Sequence, residues 1–488
     1  MAEILPGVYI EVRPEALIVS GAVTVGNIGI VGTARQGPLG EVRVLGSYAE
    51  AREIFGAYDP FDEPETPNQP PVTLVRALEL AYANGASTVF AARVTSTEAK
   101  AAGENLIAAW DKNTKARKAS RDVATAGGTA AALKAKSHGA GGNGITIAIT
   151  DAPPNVIVTL KLGGIQEAYT VADGNALVAQ VNAGSVIVDA TAGAQATGKP
   201  GLVPEVPLTF FTGGINGADA TDADYKLGLE QLLNENAHII VAAGQAAGPA
   251  IGTDTTDIAD ALKSHVENAS TDKIKRDRIA VVGSRAGATL AQLTSHSVAS
   301  DRMVFVAPGI NTTDAASGKS VTLPGSYAAA AIAGMLSGRD PHVSLTNKTV
   351  SVAGLETKFS PDKLEQLVQA RVLALEDRRG IRIVKGITTD DGAFRQITTR
   401  RIVDFAKFGV RSSAESYIGL LNNDRVRKAL KGSINGFLAG MVDDEMLISY
   451  ELDVTATRDE EIRGIAKVIM TLRPTFSIDF IKVVMFLG

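Results

Sequence analysis

Two glycine-rich stretches have the spacing of loops that bind phosphate groups. Gly139, Gly141 and Gly144 fit the pattern GxGxxG, which holds the pyrophosphate of a dinucleotide when a strand precedes it and a helix follows. We predict the reverse order here, with a polar, helix-prone stretch before the glycines and a strand after them, so a glycine turn is favoured. In the second stretch, residues 193–200, Pro200 occupies the position where Ser or Thr would bind magnesium. We therefore expect no nucleotide cofactor.

A serine is the next candidate for chemistry. Residues 323–334 place Ser326 at the start of an alanine-rich helix, and this Gly-Ser pair resembles the nucleophile segment of subtilisin-like proteases. A hydrolase also needs a histidine base and an acid, and His238, His265 and His296 lie in contexts without the local signatures of a catalytic base. We interpret Ser326 as the cap of a helix whose small side chains allow close packing, with a serine hydrolase as an alternative.

Side chains that bind transition metals are scarce. The chain has no cysteine, and its five histidines are never three or four residues apart. These features exclude disulfides, thiolate nucleophiles and zinc–sulfur sites, and we expect no metal. The acidic runs at residues 219–224 and 443–445 are interpreted as solvated turns.

Length and composition set the broad class of protein. The chain has 488 residues, of which 45% are hydrophobic and 21% charged, as in a globular protein of about two to four domains. The net charge of −5 favours no nucleic-acid partner, which would need a basic surface. Neither a signal-peptide pattern nor an apolar run of roughly 18 residues is present, so we expect no membrane insertion and assembly in the bacterial cytoplasm.

The middle of the chain alternates strand and helix patterns. Apolar strands are predicted at residues 88–94, 237–243, 278–283 and 303–307, with helices between and after them. This order predicts a mostly parallel sheet.

A different pattern interrupts that sheet. Residues 96–135 are rich in alanine and lysine and have helix propensity. Short alternating runs follow at residues 145–150, 156–162 and 186–190, separated by glycine, proline, asparagine and aspartate. They predict a small β-rich module inserted within the α/β part.

The C-terminal hundred residues are predicted to mix helices and strands. Helices are predicted at residues 360–376, 400–417 and 424–438, and strands at residues 447–455 and 464–472.

Both ends of the chain are predicted to be strands without local partners. Residues 7–12 alternate with period two between Pro6 and Pro14, and residues 476–487 end in a segment that is apolar on both faces. An exposed apolar strand invites aggregation unless a partner covers its edges. We therefore expect both segments to pair with distant strands or with another chain.

These patterns predict a multi-domain α/β protein. The predicted units are an N-terminal arm (1–24), a middle α/β domain (25–95 and 215–380), an inserted outer β-rich domain (96–214), an α+β C-terminal core domain (381–475) and a C-terminal arm strand (476–488).

Several segments, in order along the chain, resemble the contractile tail sheath family of phages, R-type tailocins and extracellular contractile injection systems. Residues 6–11 are similar to the family's N-terminal arm, and the Gly-Gly-Asn-Gly turn at 141–144 is similar to the turn that opens its inserted domain. Residues 324–334 resemble a helix of its subtilisin-like middle domain. Residues 382–388 resemble the entry into its C-terminal domain, and residues 473–474 with the last strand resemble its closing segment.

The resemblance implies a structural subunit, not an enzyme. Its copies would form stacked hexameric rings around an inner tube, together with baseplate and terminator or cap proteins, in a phage tail or a released particle. The two arms would add strands to the sheets of neighbouring copies. The N-terminal arm residues are Val8, Tyr9, Ile10, Glu11 and Val12. The C-terminal arm residues are Phe476, Ile478, Phe480, Ile481, Val483 and Val484.

A basic stretch lies on the predicted helix at residues 424–438. Its cations are solvated on one interpretation; on the other they dock on an acidic surface of the tube or of a neighbouring copy. The candidates are Arg425, Arg427, Lys428 and Lys431. Besides the serine hydrolase, a non-contractile shell or tube protein remains an alternative.

Overall fold

A computed structural model of the chain describes most of the residues after the predicted N-terminal arm. The arm itself, including Val8 to Val12, lies outside the described residues. The described ranges are 26–56, 72–95, 118–125, 127–205, 208–216, 220–252, 255, 257–314 and 318–486.

The main sheet has nine strands among the described residues, and its centre is parallel. The order across the sheet is β19-β18-β14-β13-β11-β1-β3-β2, with β12 beside β13; only the edge strands β2 and β19 are antiparallel to their neighbours. The predicted parallel sheet is confirmed. Its strands are β1 (Ile28–Thr33), β2 (Val42–Leu45), β3 (Val89–Val94), β11 (Ile239–Ala242), β12 (Ala246–Ala247), β13 (Ile279–Ser284), β14 (Met303–Ala307), β18 (Leu373–Asp377) and β19 (Ile381–Ile383).

Helices cover both faces of this sheet, and two separate hydrophobic clusters result. Along β1, Ile28 and Ile30 face the first cluster while Val31 faces the second, as the period of a strand requires. Burial on both faces explains why these strands are continuous apolar runs. On the first face lie α1 (Tyr48–Phe55), α2 (Leu74–Ala83) and α7 (Gly325–Ser337). On the second lie α4 (Asp222–Leu232), α5 (Ala259–Ala269), α6 (Leu290–Thr294) and α8 (Pro361–Gln369).

Helix α7 packs unusually close to its neighbours because it is made of small residues. A Cβ atom on Gly334 would lie 2.2 Å from the carbonyl oxygen of Ala81 in α2. A Cβ on Gly283, in β13, would lie 1.9 Å from the carbonyl oxygen of Gly325. The predicted close packing around this helix is confirmed.

The inserted region forms two small antiparallel sheets around its own hydrophobic cluster. Their orders are β4-β5-β9 and β10-β6-β7-β8, and α3 packs on them. The elements are β4 (Ser120–Thr125), β5 (Gly128–Ala135), β6 (Thr146–Ala152), β7 (Asn155–Leu162), β8 (Ile165–Val171), α3 (Gly174–Gly184), β9 (Val188–Ala192) and β10 (Thr209–Phe210).

The helix propensity expected for residues 96–135 did not decide the structure of residues 118–125 and 127–135, the part of that stretch that the structure describes. Within the described part of that stretch, β4 and β5 are strands. Ala131, Leu133 and Ala135 of β5 point into the cluster and the strand pairs with β9, so burial on one face overrides the weak preference of alanine for helices.

A second prediction fails at residues 360–376, where one helix was expected. Ser360 begins α8 as predicted, but the helix ends at Gln369, and Arg371 adopts a left-handed backbone with φ of 67°. The chain then enters β18, parallel to β14. A short three-stranded sheet, β15 (Ile310–Thr313), β16 (Ser320–Leu323) and β17 (Gly354–Leu355), lies beside this region.

The C-terminal region has its own hydrophobic cluster. Two long helices pack against a two-stranded antiparallel sheet. The elements are α9 (Ile397–Glu415), α10 (Asp424–Asp443), β20 (Leu447–Thr455), α11 (Arg458–Ile462) and β21 (Lys467–Pro474). The preceding strand β19, which we assigned to this region, pairs with β18 at the edge of the main sheet.

Candidate interaction surfaces

The glycines of the GxGxxG pattern join the inserted region to the main sheet. Strand β5 precedes them, not the helix-prone stretch that we predicted, and Ala140–Gly144 is a short 3-10 helix followed by β6. A Cβ on Gly139 would lie 2.1 Å from a carbonyl oxygen in the loop after β1. Arg93, buried in β3, donates to the carbonyl oxygens of Gly37 and His138 at 2.6 and 2.7 Å. The glycines serve this close packing.

The loop at residues 193–200 also folds onto the protein. A Cβ on Gly193 would lie 2.1 Å from the carbonyl oxygen of Thr129 in β5. Lys199 forms an ion pair with Asp151 at 3.1 Å. Its ammonium group therefore already has an anionic partner within the inserted region.

Ser326 lies in the interior, where no substrate could reach its hydroxyl. Its side chain is 1% exposed, and its Oγ has no hydrogen-bond partner among the described residues. The N-cap of α7 is Pro324, so the prediction that Ser326 caps the helix is wrong. The serine sits at the carboxyl end of β13, where a Cβ on Gly283 would lie 2.6 Å from its backbone nitrogen.

The three histidines that were considered as bases lie away from Ser326. His238 precedes β11, and His265 accepts a hydrogen bond of 3.1 Å from Arg278, just before β13. Since these strands are parallel, both histidines lie at the edge of the sheet opposite Ser326. His296 donates to the carbonyl oxygen of Ala370 at 2.8 Å, near the start of β18.

Burial and nearby arginines determine the charge of the two edge histidines. Burial, followed by the charge of Arg278, lowers the pKa of His238 to about 4 and that of His265 to about 3. Both imidazoles are therefore neutral at pH 7; His265 is buried and His238 is half-buried.

Neither a metal centre nor a membrane segment is found in the part of the chain that the structure describes. There, no three histidine or acidic side chains cluster as metal ligands. No helix within the same ranges is long and apolar enough to cross a bilayer.

The C-terminal arm, of which the structure describes residues 476–486, is the largest exposed apolar segment of the described chain. Its large hydrophobic side chains are 60–91% exposed, and none of its residues lies in a strand. A strand needs backbone hydrogen bonds to a neighbouring strand, and residues 476–486 make none with the described residues, so the predicted strand is not formed within this chain. The exposed side chains are Phe476, Ile478, Phe480, Ile481, Val483, Val484, Met485 and Phe486.

One acidic residue holds the base of this arm on the protein. Asp479 forms an ion pair of 3.0 Å with Lys385, which follows β19. Asp479 also accepts a hydrogen bond of 3.4 Å from Thr346. The ammonium of Lys385 also lies 5.3 Å from the ring centroid of Phe480. Residues 475–480 alternate between half-buried and exposed, whereas residues 481–486 are all exposed. The arm therefore has an attached base and a free apolar end.

The sheet of β20 and β21 has two open edges. These strands pair only with each other among the described residues. Helix α10 covers one face, while Ile448 and Ile469 are 65% and 50% exposed. Unpaired strand edges offer rows of backbone donors and acceptors to another chain.

Two of the predicted docking cations, Arg425 and Lys428, are exposed near the start of helix α10. Arg425 is exposed and forms no ion pair with any described residue. Lys428, one turn later on the same side, pairs with Asp424 at 2.7 Å, with both side chains more than 70% exposed. Such exposed pairs contribute little and exchange partners easily.

The other two cations are engaged within the C-terminal region. Arg427 pairs with Glu461 of α11 at 2.9 Å, and both side chains are largely covered. Lys431 pairs with Asp453 of β20 at 3.2 Å, and both are about half exposed. Arg427 therefore stabilises the fold of this region, whereas Arg425, Lys428 and Lys431 remain available at its surface.

An apolar loop between α9 and α10 was not predicted. Ile418, Leu420 and Leu421 are 80%, 56% and 78% exposed, and Gly419 adopts a left-handed backbone. The run Ile-Gly-Leu-Leu directly before the polar Asn422 was the available signal, because apolar residues in a predicted turn have no core to enter.

Family models match the second half of the chain. The model described as phage tail sheath protein central domain matches residues 218–389, and that described as phage tail sheath C-terminal domain matches residues 389–487. A tail sheath protein of Staphylococcus phage Twort is 27% identical over 200 residues, which cover 40% of this chain and 32% of that protein. The chain thus spans about a third of that relative's length.

Solved structures share the fold along nearly the whole chain. The sheath tail protein of Desulfitobacterium hafniense has a TM-score of 0.66 at 16% identity, covering 96% of this chain and 100% of that one. The sheath tail protein of Listeria innocua has a TM-score of 0.64 at 15% identity, covering 93% and 96%. The helical sheath of the anti-feeding prophage in its contracted state has a TM-score of 0.56 at 14% identity, covering 100% of both chains.

Proposed function

Because this chain belongs to the contractile tail sheath family, we propose that it polymerises into a helical, contractile cylinder around an inner tube. Contraction of the cylinder drives the tube through a target envelope. The protein acts mechanically, without a catalytic centre or cofactor.

The exposed C-terminal arm carries this proposal. Apart from Lys482, its free end presents apolar side chains to solvent, and the two-stranded sheet of β20 and β21 leaves both edges unpaired within the described chain. An arm that needs a partner strand and a sheet that lacks neighbours are complementary. In the proposal, each arm adds to the β20–β21 sheet of a neighbouring copy through backbone hydrogen bonds.

Strand exchange of this kind favours a helical polymer. The arm and its acceptor are different surfaces, so the contact is heterologous and extends into rings or helices. We propose stacked hexameric rings in which the N-terminal arm, residues 8–12, makes a second exchange. The arms stay paired while the folded bodies change their packing.

The proposed motion is a transition between two lattices of the same subunit. The main sheet and the inserted region have complete hydrophobic clusters, which supports their moving as rigid bodies. The stored free energy is the difference between the extended and contracted packings, and no nucleotide is consumed.

Helix α10 is the proposed contact with the tube or with neighbouring copies. Arg425, Lys428 and Lys431 follow one another at i, i+3 spacing, which places them along one side of the helix. Their present partners are absent or exposed, so an acidic surface can replace them at little cost.

We propose that baseplate and terminator or cap proteins bound the cylinder, that assembly takes place in the bacterial cytoplasm, and that the product is a phage tail or a released particle. The likeness of the main sheet to a subtilisin-like domain, and the limits of the five predicted units, also remain proposals.

Electron microscopy of the purified protein tests the proposal. We expect long hollow striated cylinders, and for the chain without residues 476–488 only dispersed particles. Wild-type protein that stays monomeric even with purified inner tube and baseplate would contradict it. A cylinder of one fixed length and width before and after triggering would identify a non-contractile shell.

A second experiment addresses the tube contact. Lys428→Glu with Lys431→Glu should prevent assembly on inner tubes, whereas Lys134→Glu with Lys226→Glu, on other exposed faces, should not. Normal sheathed particles from the first variant would exclude the α10 contact.

A further inference from the structure

Three arginines surround a concavity at the turn between β18 and β19. Arg378, Arg379 and Arg382 line it together with Asn347, and its volume is about 500 Å³. Arg378 and Arg382 each donate to the Oδ1 atom of Asn347 at 3.3 Å. Of the described acidic side chains, only Glu376 is within ion-pair distance of these arginines, 3.1 Å from Arg378. Most of the positive charge at this turn, defined here as the arginine turn, is therefore uncompensated.

The backbone of the arginine turn holds these side chains outward. Arg379 has φ of 55° and Asn347 has φ of 60°, both in the left-handed region. Glycine, asparagine and aspartate adopt this conformation most readily, and arginine is an unfavourable choice for it. Placing Arg379 in this conformation therefore costs backbone free energy. Arg379 forms no ion pair with any described residue that would offset this cost.

An acidic counterpart lies at the far end of α10. Asp443, Asp444 and Glu445 are exposed and form no ion pair with any described residue. Asp443 is the last residue of α10 and Asp444 is its C-cap, so the three carboxylates follow the negative end of the helix dipole, which disfavours anions. Glu445 also has a left-handed backbone, with φ of 61°. This acidic turn is electrostatically unfavourable in the isolated chain, and a cationic partner would relieve it.

We propose that the arginine turn of one copy binds the acidic turn of a second copy. The inference rests on the proposed function, since it requires copies to assemble. Guanidinium groups bind carboxylates through two parallel hydrogen bonds, and a heterologous contact needs two different, complementary surfaces on the same chain. The two turns provide them: one carries three arginines and the other three carboxylates.

A nucleic acid is the competing occupant, because guanidinium groups also bind phosphates. The acidic turn offers a counterpart of matching charge on the same chain, and the net charge of −5 opposes binding to a polyanion. These two observations favour a second copy of the chain.

Charge reversal tests the contact. The basic-to-acidic variant is Arg378→Glu, Arg379→Glu and Arg382→Glu; the acidic-to-basic variant is Asp443→Lys, Asp444→Lys and Glu445→Lys. Each alone should reduce assembly, raising the lowest concentration at which polymer sediments by at least about tenfold, which corresponds to about 1.4 kcal/mol per added subunit. A chain with both reversals, or an equal mixture of the two variants, should restore it. Circular dichroism melting checks that each variant folds.

Two outcomes of this experiment would overturn the proposal. One is wild-type assembly by either single variant, and the other is failure of both the doubly reversed chain and the mixture to restore assembly. Lys134→Glu with Lys226→Glu and Lys273→Glu, on other exposed faces, is the matched control and should assemble normally. A third outcome would point to nucleic acid: the wild type binds a short DNA duplex, only the basic-to-acidic variant loses that binding, and assembly is unchanged. The arginine turn would then be a nucleic-acid contact.

A disulfide test separates this contact from the proposed function. The chain has no cysteine, so Arg379→Cys with Asp444→Cys introduces a clean pair. Oxidation should give a ladder of crosslinked oligomers on a non-reducing gel. Each single cysteine variant can form at most a crosslinked dimer. Cylinders without a ladder would overturn the contact and leave the sheath function standing. A ladder without cylinders would support the contact and count against the sheath.

Discussion

The main sheet and the C-terminal sheet use their hydrophobic residues in opposite ways. Every residue of β13 is buried, and helices close both faces around it. In β21 the residues alternate between half-buried and exposed, and α10 covers only one face. The adjoining arm leaves its apolar side chains in solvent. The first region buries its strands on both faces within one chain, whereas the second leaves one sheet face and the arm exposed, and we propose that a neighbouring copy covers them.

This difference separates folding from assembly. Removing a buried group from the main sheet acts on the free energy of unfolding of the single chain. Removing an exposed group from the C-terminal region should leave that free energy nearly unchanged and act on the proposed polymer. Four experiments test this division, from the largest expected effect on unfolding to the smallest.

The largest effect is expected at the buried ion pair of Arg76 and Asp314, whose side chains are 2% and 0% exposed. Arg76→Met leaves a buried carboxylate without its arginine, so urea denaturation should show a loss of about 3–5 kcal/mol in the free energy of unfolding. Arg43→Met breaks the pair with Glu41, in which both side chains are about half exposed, and should cost about 0–1 kcal/mol. Equal losses would contradict the comparison.

A pH-dependent loss is expected from His265 in the main body. Its folded pKa of about 3 lies below the ordinary value near 6.5, so the unfolded chain binds the proton more readily. Stability should be complete above pH 6.5 and fall by about 1.4 kcal/mol per pH unit below it. Urea denaturation at pH 7 and pH 5 should show a smaller acid loss for His265→Gln than for wild type. The same loss in both proteins would refute this assignment.

A matched pair of glycine substitutions should have opposite signs. A Cβ on Gly436, on the exposed side of α10, meets nothing within 4 Å, so Gly436→Ala should stabilise the chain by about 1 kcal/mol through helix propensity. Gly334→Ala places its Cβ 2.2 Å from the carbonyl oxygen of Ala81 and should destabilise the chain by about 1–3 kcal/mol. Thermal melting measures both, and a stabilised Gly334→Ala would be the contrary result.

The smallest effect on unfolding is expected from removal of residues 476–488. The arm contributes one ion pair, Lys385 with Asp479, which is as covered as that of Arg427 with Glu461. Removing the arm opens Lys385 to water and does not leave it buried without a partner, so the free energy of unfolding should fall by only about 1 kcal/mol. Polymer formation, followed by sedimentation, should be lost. A large drop in melting temperature, or normal cylinders, would show that the arm belongs to the folding unit of its own chain.

Periodicity predicted best where one chain contains the whole environment of a segment. The strands at β11, β13 and β14 were predicted because burial on both faces leaves a continuous apolar run. It failed at β5, where an alanine-rich sequence takes the strand conformation that its neighbours impose. It failed again after Gln369, where a left-handed Arg371 ends α8 and the chain turns into β18.

The candidate surfaces were predicted unevenly for the same reason. The exposed apolar arm and the basic side of α10 could be identified from residue order, whereas the pairing of Arg427 with Glu461 depends on how α10 and α11 pack. The cap assigned to Ser326 was wrong because Pro324, with its extended backbone, starts the helix one residue before Gly325.

The sequence by itself determined the absence of cysteine chemistry and the parallel core, because residue types and spacing carry that information directly. It also predicted two terminal segments that need partners. Only the tertiary structure decided which cations keep intramolecular partners, which histidines are neutral, and how much charge the arginine and acidic turns expose at the surface. Those properties depend on distances between residues far apart in the chain, and local sequence does not encode such distances.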